Sequence, residues 1–305
     1  MRRPAAIALL VVTVQALLVA FFAWPAIRTA PRDVPIVVAG PPEVAERLSS
    51  VRPGAFEVRT VADAAAADEA LRDREAYAAF IVTTQGMDLH LASAASPTVA
   101  QLLTQQAQTL GQVRMVDVVP VDADDPRGAG LAAAFLPLLL TSLIAGALLW
   151  ALVPGWVGRL VGLVGFAALA GLAVGAILQY GYGALPGSYL ANAAVLALAA
   201  GAIAASVTGL GALLGRPGIA LGALLVFIVG NPLSAVASAP ELLPQPWGAV
   251  GQLLPPGAGM TLLRSVAYFD GAGGAGAAWT LIGWTVVGLA LVAVGRKTLA
   301  VAHSA

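Results

Sequence analysis

Hydrophobic positions in this chain come in long unbroken blocks, with neither the alternation of a strand nor the one-sided stripe of a soluble helix. Leu131–Val153, Leu160–Tyr180, Leu190–Leu214, Ile219–Ala239 and Ala277–Gly295 contain no Asp, Glu, Lys, Arg or His. A helix needs about 20 apolar residues to cross hydrocarbon, and the five blocks are close to that length. A soluble core helix would carry a polar face at helical spacing. Ala5–Trp24 is a sixth block, interrupted only by Thr13 and Gln15, behind a short basic start at Met1–Pro4. It exceeds the roughly 7–15 apolar residues of a signal peptide, and small residues are wanted at −3 and −1 of a cleavage site. Cuts after Ala26 or Ala30 would put Trp24 or Arg28 at −3. The pattern predicts an uncleaved first helix within an α-helical polytopic membrane protein of six transmembrane helices.

Between the first two blocks the pattern turns polar and periodic. Val34–Ala39 reads as a strand, Pro41–Val51 as a helix and Ala55–Val61 as a second strand. Asp63 is placed to cap a helix through Arg72. Tyr77–Thr83 and Met87–Ala92 read as strands joined by a turn at Gln85–Gly86. Ser96 caps a helix over Pro97–Leu110, and Arg114–Val121 closes as a strand. This β-α-β-α-β-β-α-β order predicts an inserted extracytoplasmic α/β domain of about 95 residues, enough for one core. The chain thus divides into a first helix (1–27), the α/β domain (28–130), helices two to five (131–239), a broken segment (240–276) and the sixth helix with its tail (277–305).

The broken segment is too interrupted to span and too apolar for a solvated loop. Leu242, Leu243, Val250, Leu253 and Leu254, then Leu262, Leu263, Val266 and Tyr268, predict two short helices parted by Pro255–Pro256, at the outer interface or dipping into it. Asn231–Pro232, inside the fifth block, predicts a kink.

Composition agrees: 59% of residues are hydrophobic and 10% charged, with mean hydropathy +0.86, against about a quarter charged in soluble domains. The net charge of zero hides a sorting of signs. With the N-terminus inside, the inner segments hold Arg2, Arg3, Arg159, Arg216, Arg296 and Lys297, and all 16 acids fall outside. That is the positive-inside pattern and sets both termini in the cytoplasm. Cysteine is absent, which excludes disulfides and thiol catalysis.

Candidate chemistry is sparse. No phosphate-binding G-x-x-x-x-G-K-[ST] loop occurs and Lys297 is the only lysine, so ATP hydrolysis by that route is excluded. No catalytic constellation, cofactor motif or nucleic-acid surface is evident. Asp88 and His90 share a strand face, two ligands at most where zinc needs three or four; a solvated face is the expectation. Asp122, Asp124 and Asp125 lack calcium-loop spacing and read as a flexible acidic juncture. The blocks carry no ionisable group, against proton or ion coupling. Their polar residues are Gln15, Thr141, Ser142, Gln179, Asn192, Ser206, Thr208 and Asn231. Of these Gln179, Asn192 and Asn231 are the candidate substrate path, although most such groups bond within or between helices. Gly158/Gly162, Gly171/Gly175, Gly211/Gly215 and Gly218/Gly222 have the spacing of helix contact faces.

One N-terminal helix, an α/β domain and five further helices resemble the plan of ABC-2 type permeases, and most of all those with a YhgE/Pip-like outer domain. The run Pro246–Gly257 (PWGAVGQLLPPG) is similar to the broken helices between that family's last two spans. EALRDREAYAAFIV and LASAASPTVAQLL also resemble the outer domains of the group. The resemblance implies export from a bacterial cell membrane by a homodimer paired with a separate cytoplasmic ATP-binding subunit. It also implies a coupling loop between helices two and three, which here is Pro154–Arg159 with Trp156 and Arg159. That loop is short for the family, and only Met1–Pro4 precede the first block, where such permeases usually begin with an amphipathic elbow helix. A non-transporting YhgE/Pip-like protein, its outer domain bound to an envelope or secretion partner, therefore stands as the alternative.

Overall fold

The computed structural model describes residues 2–84, 86–109 and 113–302. Gln85 of the predicted turn and Leu110 of the predicted helix end lie outside the described residues, and of Arg296 and Lys297 only the backbone is described. Among the described residues six helices are long and apolar enough to cross a membrane.

After α1 (Arg2–Ile27) the chain enters the α/β domain: β1 (Val34–Ala39), α2 (Pro42–Val51), β2 (Phe56–Val61), α3 (Ala64–Arg72), β3 (Ala78–Thr83), β4 (Gly86–Leu91), α4 (Pro97–Thr109) and β5 (Arg114–Asp117). The sheet has five strands in the order β2-β1-β3-β4-β5. All neighbours are parallel except β3 and β4, which form an antiparallel hairpin. Successive side chains of a strand face opposite ways. Val34, Ile36 and Val38 accordingly pack with Phe80, Leu89 and Leu103 of α4, whereas Val37 and Ala39 pack with Ala67 and Leu71 of α3. Asp63 accepts from Ala66 N at 2.9 Å and Ser96 from Val99 N at 3.3 Å, as their cap positions predict. Both sheet faces are finished by residues from much later in the chain, Ala239 and Leu242 on one and Phe269 on the other.

The rest is a helical bundle: α5 (Ala129–Leu152), α6 (Trp156–Ala176) with a π turn at Ile177–Gly181, α7 (Tyr189–Leu214), and α8 (Arg216–Ala223) with a π segment at Leu224–Gly230 leading into the short α9 (Asn231–Leu233). Then come a 3-10 turn at Pro240–Leu242, α10 (Trp247–Gln252), α11 (Pro255–Tyr268) and α12 (Ala275–Ala302). Helix α7 is the axis: 78% of its apolar window is buried, against 17–33% for α5, α6, α8 and α12. Small residues permit this, since helices without bulky side chains approach closely. A Cβ on Gly288 of α12 would stand 2.5 Å from the Ala205 carbonyl carbon, and one on Gly171 of α6 2.7 Å from Ala197 Cβ. The predicted pairs Gly158/Gly162 and Gly218/Gly222 are also at contacts, but Gly215 is a turn residue at φ +72°.

Several expectations are corrected. The fifth apolar block stops at Leu233, not Ala239; the helical backbone runs through Asn231–Pro232, and the preceding π segment widens where proline can return no hydrogen bond. Pro255 and Pro256 open α11 instead of merely parting two helices, because the first turn needs no N–H donor there. That helix is buried against α7 and α12. β5 ends at Asp117, whose carboxylate turns back to Ser93 N (3.2 Å) and Ser93 Oγ (2.5 Å). His90 is buried, its Nδ1 2.6 Å from Asp68 Oδ1, and is no part of a solvated face. The acidic juncture is a cap: Asp125 accepts from Gly130 N and Leu131 N at 3.1 and 2.9 Å, covering free donors at the start of α5.

Candidate functional site

Two of the residues picked from the sequence meet. Asn192 on α7 is fully buried and donates to Gln179 Oε1 (3.3 Å) and Pro186 O (2.8 Å), while Gln179 Nε2 donates to Gly187 O (2.9 Å). Together they fasten the 181–188 connection to the bundle; among the described residues Asn192 Oδ1 finds no hydrogen-bond partner. Asn231 is elsewhere, lining a 360 Å3 cavity between the end of α1 and the 231–238 segment. Ser206 and Thr208 bond to carbonyls within α7, and Thr208 also to Gly146 O at 3.0 Å.

Trp156 and Arg159 belong to α6, since only Val153–Gly155 separates α5 from α6. Arg159 donates Nε to Val153 O (3.1 Å) and Nη2 to Trp150 O (2.9 Å), so it satisfies the last carbonyls of α5.

A gathering of partly and fully buried charge, Arg74, Glu241 and Arg264, was not singled out by the sequence. It lies where the α/β domain rests on α10 and α11, around a 460 Å3 cavity whose wall includes Arg74, Tyr77, Glu241, Gln245, Gln252 and Thr261. Arg74 follows α3 in the left-handed region, φ 59°, a helix-ending position usually filled by glycine. Its Nη1 donates to Thr261 O (3.0 Å) and to Ser265 Oγ, and its guanidinium lies 5.2 Å from the centre of the Phe269 ring. Tyr77 Oη donates to Glu241 Oε2 at 2.8 Å. Glu241 is held by its own backbone, which accepts from Arg32 N at 3.0 Å.

Arg264, one side over on α11, is 5% exposed. Its forked donors reach Ala95 O (3.3 Å), Ser238 O (3.2 Å) and Val236 O (3.0 Å), tying α11, the domain and the 234–239 segment in one clasp. Burial, then the neighbouring Arg74 charge, brings its pKa down to about 10, so it stays charged at neutral pH. Burial also lowers Arg74, with Tyr77 and Glu241 opposing. Burial first and the Glu241 carboxylate next raise Tyr77, which keeps its proton for that hydrogen bond. Arg264 had a signal: it is the only basic residue in the apolar 240–276 segment. Arg74 had none that set it apart from its charged neighbours.

Among the described residues no three His, Asp or Glu side chains gather as a metal site. Opposed charges, amides and a hydroxyl around a half-open space suit binding and orientation of a polar group. In comparisons with known proteins, the chain matches no family model, no curated protein and no solved structure.

Proposed function

We propose that this chain is the membrane-spanning permease subunit of an ABC-2 type exporter, moving a hydrophobic or amphiphilic compound outward with energy from a separate cytoplasmic ATPase. The observation that carries this reading is α11, which enters from the domain side, packs against the central α7 and is clasped to the α/β domain through Arg74 and Arg264. Movement of the bundle would then be felt by the outer domain and its cavity. The orientation follows from charge: Arg159 and Arg216 at the turns distant from the domain face the cytoplasm. Helix α1, with none of its apolar window buried, offers a face to a second copy.

The alternative, a non-transporting protein whose outer domain binds an envelope or secretion partner, is favoured by the opposite end. Its turns are only Val153–Gly155 and Gly215, and Arg159 is already engaged. Charge reversal at Arg159 would uncap α5 whether or not an ATPase meets it. The clean test is purification from the native host in nanodiscs. A stoichiometric ATP-binding subunit supports the exporter; an envelope or secretion component in its place supports the alternative and overturns it.

A further inference from the structure

Two opposite charges line the 460 Å3 cavity without touching. Arg74 and Glu241 both belong to its wall, yet among the described residues no ion pair within 4.0 Å joins them. Arg74 is held by Nη1 on α11, which leaves Nε and Nη2 for another partner. Glu241 is held through Oε2 by Tyr77, which leaves Oε1. The other functional groups are mostly committed. Glu75 pairs with Arg59 at 2.5 Å, and Thr261 donates to Gln252 Oε1 at 2.6 Å. The volume falls within the roughly 300–1,000 Å3 of small-molecule sites. Charges partly withdrawn from water and kept apart forgo an attraction that is stronger there than in bulk. A ligand with both signs recovers it at both ends, whereas a simple anion meets Glu241 and a simple cation meets Arg74.

We propose that this cavity binds a zwitterion bearing a primary ammonium and an anionic phosphate or carboxylate, the ammonium on Glu241 and the anion on Arg74. The chemistry is shared by the headgroup of an ethanolamine phospholipid and by a small soluble zwitterion. The lipid source rests on the membrane reading given above; neither source rests on transport, so failure to find an ATPase partner leaves the site standing.

The test uses the full chain in phosphatidylglycerol nanodiscs, titrated calorimetrically with glycerophosphoethanolamine and separately with glycerol 3-phosphate. A parallel arm reads lipid retention by native mass spectrometry from mixed phosphatidylethanolamine and phosphatidylglycerol discs. Glu241→Gln keeps an acceptor for Tyr77 while removing the charge. It is expected to weaken the zwitterion about tenfold, the loss of one charge-assisted contact, and to leave glycerol 3-phosphate equal or tighter. Calorimetric binding without selective lipid retention assigns the soluble source; selective ethanolamine-lipid retention, with or without calorimetric binding, assigns the headgroup. Should Glu241→Gln fail to fold, Ala249→Trp, at an exposed rim position, fills the cavity and must abolish either signal. No preference for the zwitterion in either arm, or a preference unchanged by these variants, overturns the proposal.

Discussion

Helices α1 and α7 have the same length, 26 residues, and both are strongly apolar, with mean hydropathy 2.6 and 2.0 over their windows. Their fates are opposite: 78% of the α7 window is buried and none of that of α1. Hydropathy therefore marks a helix as able to leave water and does not say what it will pack against. Side-chain size decides that. Helix α7 presents Ala193, Ala197, Gly201, Ala205 and Gly209, so α6 and α12 come within backbone contact along that stripe. Helix α1 presents Ile7, Leu9, Leu10, Val12 and Leu17, all exposed. It meets the bundle near its end, where the Phe22 and Phe227 rings lie 6.0 Å apart and Trp24 and Trp247 6.4 Å apart.

The contrast breaks most sharply at Gly288, whose Cβ position is occupied by the α7 backbone. Gly288→Leu is expected to cost about 3 kcal/mol or more by overpacking, seen as loss of monodisperse protein and lowered Tm in detergent. Gly283→Leu on the same helix, where nothing lies within 4 Å of a Cβ, should stay within about 0.5 kcal/mol. Next is Arg264→Met, which strips the donor from the carbonyls of Ala95, Val236 and Ser238. A loss of about 2–4 kcal/mol is expected, with faster proteolysis of the 234–239 segment and partial recovery in Arg264→Lys. Asp125→Ala uncovers two amides of α5 and should cost about 1 kcal/mol by the same Tm measurement. Leu9→Ala on α1 should be smallest, within about 0.5 kcal/mol. A large Tm drop there would show that α1 is packed as tightly as α7.

How much of this was legible divides along the same physics. Unbroken apolar blocks gave all six helices, and turn and cap residues such as Asp63 and Ser96 gave the order of the α/β domain, because those signals are local. Three-dimensional outcomes were not local. His90 looked solvated because its partner Asp68 lies on a different element. Asp125 is the exception: its partners, the amides of Gly130 and Leu131, are only five and six residues on, but this reach is longer than that of an ordinary N-cap. At the candidate site, Asn192 and Gln179 were visible as polar residues in apolar runs, but their bonds fasten a connection. The pairing of Tyr77 with Glu241 joins segments far apart in the chain, and no spacing rule reaches that far.

The α/β domain is inserted early, yet its core holds Ala239 and Leu242, and Ala30 N and Arg32 N bond to Leu242 O and Glu241 O at 3.0 Å. During synthesis the ribosome delivers every strand of the sheet well before this piece of wall, and Phe269 of the opposite face later still. The domain must wait, incomplete, while four more apolar helices are made. Closure of this face is thus a report that α5 to α8 have been made, and a chain truncated before Ala239 would leave the domain unfinished.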